Sequence, residues 1–283
     1  MLAIPPYAFG VFADNWSAAI PGAAFGTLMA VGDASAHTKG SVVAIIGSGI
    51  AQPAFLISID IFGPQVAATD TSALLDIMYD PAGGTSWQVL IPNLLCGFIP
   101  VQSSGAVCSM HYEFPLYIPR GSSIGGRWQS IVASASQRPT VVVTLYGGTS
   151  KPGFWFGTKV TGIGTDTANS AGLDHAVGST GAYSAWVSIG GTSNPKMNFI
   201  TMGVQGSAGT ITQNYVVMQY GFGSTKIQGA ALRFGTATTE TVIINPPHRG
   251  CYVDIPAGTQ MQVRGAGSDA SVEDPSVALY GVS

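Results

Sequence analysis

Charge is the scarcest property of this chain. Asp, Glu, Lys and Arg make up 9% of its 283 residues, with a net charge of −3, against roughly 25% charged residues in an average soluble protein. The 11 Lys and Arg are scattered, so the electrostatic footprint that a nucleic acid requires is missing. Cysteine is nearly as scarce. Cys96, Cys108 and Cys251 are odd in number and lack CxxC spacing, which argues against a disulfide framework and a zinc site. Cys96 and Cys108 could pair, but free buried thiols are the default in a reducing compartment. Residues 40–59 carry no charge, yet Gly47, Gly49 and Pro53 interrupt them, so they read as two strands and no membrane insertion is expected. The first residues lack the basic segment of a secretory signal.

Catalytic patterns are equally thin. No Walker or dinucleotide glycine pattern occurs, no calcium-loop spacing, and no pair of carboxylates suited to glycoside hydrolysis stands out. Gly121-Ser122-Ser123-Ile124-Gly125 fits G-x-S-x-G. The nucleophile elbow of that motif joins a strand to a helix, whereas this stretch lies between two strand-like runs and reads as turn residues. No catalytic, cofactor-binding or metal-binding residues are expected, and the chain is expected not to be an enzyme.

What is abundant is apolar residues, 46% of the chain, and 38 glycines. High apolar content with little charge excludes disorder. A surface so poor in charge suits burial against other copies of the chain or against partners. Short β-branched and aromatic runs dominate: 41–46, 54–61, 74–79, 87–91, 114–118, 124–132 and 140–146. Asp80-Pro81-Ala82-Gly83-Gly84 supplies a tight turn. The pattern predicts an all-β protein of two tandem antiparallel β-sandwich, jelly-roll-like domains. An aromatic-studded arm over 1–24 precedes a first domain over 25–147. A Gly/Ser/Pro linker over 148–153 then leads to a second domain over 154–283, with Trp155 sealing the two together.

The two domains are expected to be copies of one another. His111–Arg127 superimposes on His248–Arg264 without a gap, with five of 17 columns identical: His111/His248, Ile118/Ile255, Pro119/Pro256, Gly121/Gly258 and Arg127/Arg264. The unit reads as strand, Ile-Pro-x-Gly turn, strand, which predicts a hairpin. Its histidines are expected to bond a loop carbonyl rather than a metal. Further anchors are Phe25-Gly26-Thr27 on Phe156-Gly157-Thr158, Ala54-Phe55-Leu56 on Ala185-Trp186-Val187, Met78/Gly83/Thr85 on Met218/Gly223/Thr225, and Leu145-Tyr146-Gly147 on Leu279-Tyr280-Gly281. By that alignment Trp186 falls on Phe55 and reads as core.

Residues Asp76–Gly84, Val89–Leu95 and Pro115–Gly121, with Arg127 and Leu145-Tyr146-Gly147, resemble a group of tailed-bacteriophage virion proteins. The resemblance covers about residues 72–147 and implies a structural, non-enzymatic part located in the virion. That part would belong to the tail, baseplate or neck and assemble as a symmetric oligomer with copies of itself and other virion proteins. A capsid decoration protein and a lectin-like module for host-surface glycan are the alternatives. The candidate partner contacts are Trp16, Trp128, Arg127 and Arg264. Trp128 stands out because it faces Gly265 in the other copy; packing remains its competing role.

Overall fold

A computed structural model describes residues 12–15, 26–30, 36–47, 49–62, 72–97, 109–131, 138–148, 153–178, 181–205, 215–235, 250–268 and 275–283. These residues form strands and loops with no helix. In chain order the strands are β1 (Phe12–Asn15), β2 (Thr27–Leu28), β3 (Val43–Ile46), β4 (Ala54–Phe62), β5 (Ala73–Asp80), β6 (Gln88–Leu95), β7 (Ser109–Phe114), β8 (Ser123–Ser130) and β9 (Thr140–Gly147). The second half supplies β10 (Val160–Ile163), β11 (Leu173–Asp174), β12 (Val187–Ser188), β13 (Met197–Gln205), β14 (Tyr215–Phe222), β15 (Ile227–Gly235), β16 (Cys251–Ile255), β17 (Met261–Gly267) and β18 (Ser276–Val282).

All pairings among these strands are antiparallel. The first half makes a sheet ordered β1-β9-β4-β7, with β2 also on β9, and a sheet ordered β3-β8-β5-β6. The second half makes β10-β18-β13-β16, with β11 on β18, and β12-β17-β14-β15. The two orders are the same order, strand for strand, so the chain is two β-sandwiches related by duplication. The strand expected over 114–118 lies instead over 109–114, and residues 115–118 make only isolated bridges.

Register corrects the alignment of the copies. Ladder partners equate Val43 with Val187, Ile57 with Met202, Asp76 with Gln219, Arg127 with Arg264 and Leu145 with Leu279. The spacing between equivalents therefore falls from 144–145 at β3 and β4 to 143, 137 and 134 further on, as the second copy shortens its loops. The matches at Ile118–Arg127 and at Leu145-Tyr146-Gly147 keep their spacing, while His248 lies outside the described residues. Those at Thr27, Ala54 and Met78 do not: Thr27 corresponds to the β11 region rather than to Thr158, Met218 is the counterpart of Leu75, and Trp186 the counterpart of Val42. Short apolar strands offer several alignments of similar quality, and only the ladder selects among them.

The Ile-Pro-x-Gly unit is not a hairpin. β7 and β8 lie in different sheets, as do β16 and β17, so the unit carries the chain from one layer of the sandwich to the other. Both copies build this corner alike. Gly121 and Gly258 have φ of 87° and 76°, which favours glycine. Their N–H groups donate to Ile50 O (2.9 Å) and Asn194 O (2.8 Å). The hydroxyls of Ser122 and Thr259 donate to Pro119 O and Pro256 O, each at 2.7 Å. Ser122 is thus a corner residue, and Ser123 begins β8 fully buried.

The sandwiches are joined through their cores. Val160, Phe199, Ala278, Tyr280 and Val282 of the second pack in one apolar cluster with the first, where Trp155 also lies against it. Phe156 sits 4.9 Å from Phe55 and 6.1 Å from Tyr117, ring centre to ring centre. Tyr280 meets Tyr112 and Phe114 edge-on at 5.7 and 6.2 Å. Its hydroxyl accepts from Leu95 N and donates to Asn93 O, both at 2.8 Å. Replacing Tyr280 by Phe leaves a buried N–H and a C=O of β6 without that partner. The expected loss is about 1–3 kcal/mol, measured by urea denaturation; a change below about 0.5 kcal/mol would show that the hydroxyl does not hold the seam.

Candidate functional site

The polar centre of the molecule lies beside that seam. β6 is an edge strand, and its pairing with β5 shifts between Leu75/Leu94 and Ile77/Ile91. Pro92 and Asn93 therefore bulge opposite Asp76. Pro92 has no donor to lose there, and Asn93 takes φ 50°, a region asparagine tolerates better than most residues. The bulge is held from both sides: Asn93 N donates to Asp76 Oδ1 at 2.8 Å, and Asn93 O accepts from Tyr280.

Asp76 is 3% exposed and is satisfied from several directions. Lys39 Nζ donates to Oδ1 and Arg127 Nε to Oδ2, each at 2.9 Å. Burial pulls the Lys39 ammonium below its usual value, and Asp76 works against that shift. One carboxylate thus faces two cations, leaving the group net positive. Gln129 Nε2 reaches into the second sandwich, donating to Thr167 O (2.6 Å) and Ser170 Oγ (2.9 Å), and His37 Nδ1 lies 3.0 Å from Ser170 Oγ. His37 and Ser170 also have positive φ, 60° and 54°. Three of the four non-glycine residues with positive φ among the described residues thus surround one place, and strain of this kind gathers at functional sites.

Together these residues line an open cleft of about 590 Å³ between the sandwiches, with Lys39, Asp76, Asn93, Arg127 and Gln129 on one wall and Thr167 and Ala168 on the other. Val89 and Pro92 add an apolar strip. That volume falls in the range of small-ligand sites.

The second copy of this station is built differently. Backbone bonds equate Gly40 N to Trp128 O with Ser184 N to Gly265 O, and His37 N to Ser130 O with Gly181 N to Gly267 O. Lys39 therefore corresponds to Tyr183, Asp76 to Gln219 and Arg127 to Arg264. Arg264 Nε and Nη2 donate to Gln219 Oε1 at 2.9 and 2.7 Å. Its guanidinium carbon lies 4.2 Å from the Tyr183 ring centre and 4.4 Å from that of Trp186. Trp186 is half-buried over Gly221, where a Cβ would come within 2.8 Å of its ring. It is thus a surface platform rather than the core residue expected.

Of the expected partner contacts, Arg127 and Arg264 occupy the two stations. Trp128 does not serve as a contact: it is 1% exposed and donates from Nε1 to Ala30 O at 2.6 Å, which makes it core. Trp16 lies outside the described residues, as do His248 and Cys108. Cys96 is buried, which pushes its thiol up to about 12. Sequence reasoning missed Lys39, Asn93, Gln129 and Tyr183, since no motif links them. The cross-strand pair Asp76/Arg127 had a signal in the repeat, visible only after register is known.

His111 meets two carboxylates, where a loop carbonyl was expected. It stands on β7 directly opposite Asp60 of β4, with Nδ1 2.7 Å from Asp60 Oδ1 and Nε2 3.3 Å from Glu113 Oε1. It also sits in the other sheet from Arg127, so the His/Arg spacing forms no joint site. The hydrogen bonds to Asp60 and Glu113 raise its pKa from 6.5 to about 9, and Tyr146 of β9, raised chiefly by burial, faces the same carboxylates. Among the described residues no group of three or more His, Cys, Asp or Glu could hold a metal ion.

The fold and its seam define a protein of two β-sandwiches with a cleft lined by described residues of both. No protein-family model matches the chain, and no curated protein does. Among solved structures it is similar to PNGase F, a glycosylasparaginase from Flavobacterium meningosepticum, with 9% identity and a TM-score of 0.45 over 91% of this chain and 93% of that one. It is also similar to PNGF-II (10% identity, TM-score 0.42, 96% of this chain), of which it spans only 65%. A third is the tandem CBM22-1-CBM22-2 domain of Paenibacillus barcinonensis Xyn10C, at 8% identity and a TM-score of 0.28 over 97% of this chain and 92% of that one. At these values the likeness assigns no ligand and no residue role. It does correct one expectation: with a glycosylasparaginase matched over nine-tenths of the chain, the exclusion of enzyme activity is withdrawn. The phage resemblance gains no support from these matches.

Two outcomes test the electrostatics. Asp76→Ala leaves Lys39 and Arg127 without their carboxylate, and is expected to cost about 3–5 kcal/mol in urea denaturation; a loss under 1 kcal/mol would contradict the assigned role. The second concerns His111, whose folded pKa is raised. Its stabilisation is present in full below about pH 6.5 and is lost as pH rises through 9. His111→Gln, at a part-exposed site, should lower Tm by about 1–3 °C at pH 6 and leave it unchanged at pH 10. Equal losses at both pH values would count against the ion pairs.

Proposed function

We propose that the chain is a carbohydrate-binding protein and that a saccharide of one or two units occupies the cleft between the sandwiches. The observation that carries this reading is the convergence of Lys39, Asn93, Arg127, Gln129 and Thr167 on one cleft, beside the strip of Val89 and Pro92. Sugar hydroxyls both donate and accept, so they are best met by charged and amide groups whose positions are already set, while the C–H face of a pyranose needs an apolar strip. The ladder of bonds through Asp76 fixes Lys39, Arg127 and Asn93 before any ligand arrives, which reduces the ordering cost of binding.

The resemblance of residues 72–147 to tailed-phage virion proteins adds a second proposal: the glycan lies on a host surface and the protein sits in the particle. Imaging of virions, with this chain located at a fixed symmetric position, tests that reading separately.

Val89 is 45% exposed at the cleft, so Val89→Trp can fill the site without disturbing the core. A glycan array followed by calorimetry should find saccharides that bind the native chain at micromolar to millimolar Kd, with at least tenfold weaker binding by Val89→Trp at unchanged Tm. If no saccharide binds, or if Val89→Trp binds equally well, the cleft is not a carbohydrate site.

A further inference from the structure

We propose that the second sandwich carries its own ligand station, centred on Arg264, which takes the carboxylate or sulfate group of an acidic saccharide. The inference rests on the carbohydrate reading above but concerns a different face of the molecule.

Its basis is the divergence of two stations that occupy equivalent places: Tyr183 stands for Lys39 and Gln219 for Asp76. In the first copy Arg127 has the Asp76 carboxylate against it at 2.9 Å, a partner it shares with Lys39. In the second, Gln219 stands at the place of Asp76, and an amide oxygen accepts both Arg264 bonds without cancelling the charge. No carboxylate among the described residues pairs with Arg264. The cation is nevertheless rigid. Tyr183 and Trp186 each stack on the guanidinium at 4.2–4.4 Å, and Nε and Nη2 are tied to Gln219. Nη1, with both of its hydrogens, has no hydrogen-bond partner among the described residues. An arginine held in this way keeps its planar fork aimed, and that fork matches the two oxygens of a carboxylate or a sulfate.

The surroundings fit a sugar that bears such a group. Tyr183 is 41% exposed, so its ring supplies apolar surface beside the cation. Gln219 and Gln228 are joined across β14 and β15 at 3.3 Å, and Gln228 is exposed, which adds an amide to the rim. The station is anchored from behind: His175 Nε2 is 2.9 Å from Ser184 Oγ, and Ser184 Oγ accepts from Gly265 N at 3.1 Å. The loop bearing Tyr183 and Trp186 is therefore fastened to the strand bearing Arg264. The chain as a whole is net negative, so general attraction to polyanions does not account for binding here.

The test compares dextran (neutral), oligogalacturonate (carboxylate) and dextran sulfate (sulfate), by calorimetry on the full chain. The variants are R264Q, R264K and Tyr183→Ala, with Val89→Trp as the cleft control. Native protein should bind at least one acidic probe at least tenfold more tightly than dextran. R264Q should abolish that preference. R264K, which keeps the charge and loses the fork, should lose most of it, and Tyr183→Ala should weaken it several-fold. Val89→Trp should leave it intact. Preference for an acidic probe that survives R264Q, or binding of neutral saccharides alone, overturns this inference and leaves the cleft reading standing. Loss of the acidic preference in Val89→Trp with R264Q unaffected moves the acidic ligand to the cleft and also overturns it. Absence of any saccharide binding removes both readings.

Discussion

The arrangement of the molecule hangs on one hydroxyl. Tyr280 belongs to the second sandwich, yet its side chain ends on the backbone of β6 in the first, accepting from Leu95 and donating to Asn93. A tyrosine buried among apolar residues must satisfy its hydroxyl, and here it does so on a strand whose ladder is broken by a bulge. That bulge exists because Pro92 cannot donate and Asn93 can turn. Asn93 is in turn held by Asp76, and Asp76 orients Lys39 and Arg127. The apolar seam and the polar cleft are thus one structure. The contact that ties the second sandwich to β6 also holds the bulge that meets the Asp76 group facing the cleft.

Duplication explains why there are two stations, and divergence explains why they differ. Both copies keep the corner glycine, the proline before it and the arginine that follows on the next strand. Those positions answer to backbone geometry and to the cross-strand neighbour, which the fold imposes equally on both. The positions around the arginine are not so constrained. In the first copy the station lies against the second sandwich, and the buried carboxylate of Asp76 is shared between Arg127 and Lys39. In the second it faces outward, where the charge can be left open and supported by aromatic rings. The location of each copy in the pair, rather than its local fold, accounts for the difference between Asp76 and Gln219.

Much of the architecture was legible in the chain. Alternating short apolar runs and turn residues sufficed for an all-β reading, and the Ile-Pro-x-Gly repeat sufficed for duplication, because strands and tight turns are decided by local preferences. The same local information misplaced three of the repeat anchors and turned a corner between layers into a hairpin. A strand of six apolar residues carries too little information to choose its partner, and the choice of sheet is made by contacts across the whole sandwich. Trp128 illustrates the limit: its mismatch with Gly265 was real, but the mismatch reflects a larger core in the first copy rather than an exposed contact.

The sequence by itself determined that this is a charge-poor, duplicated β-protein with an arginine at the same place in each copy. Only the tertiary structure decided what each arginine meets. Lys39, Asp76, Asn93, Arg127 and Gln129 are brought together by strand register, a bulge and the approach of the second sandwich, none of which is encoded in the spacing of any two of them. Trp186 reaches Arg264 because Gly221 leaves room for a ring above the sheet, and Tyr183 meets the same guanidinium from the loop before it. Such encounters depend on distances across the fold, and a linear pattern of residue types does not contain them.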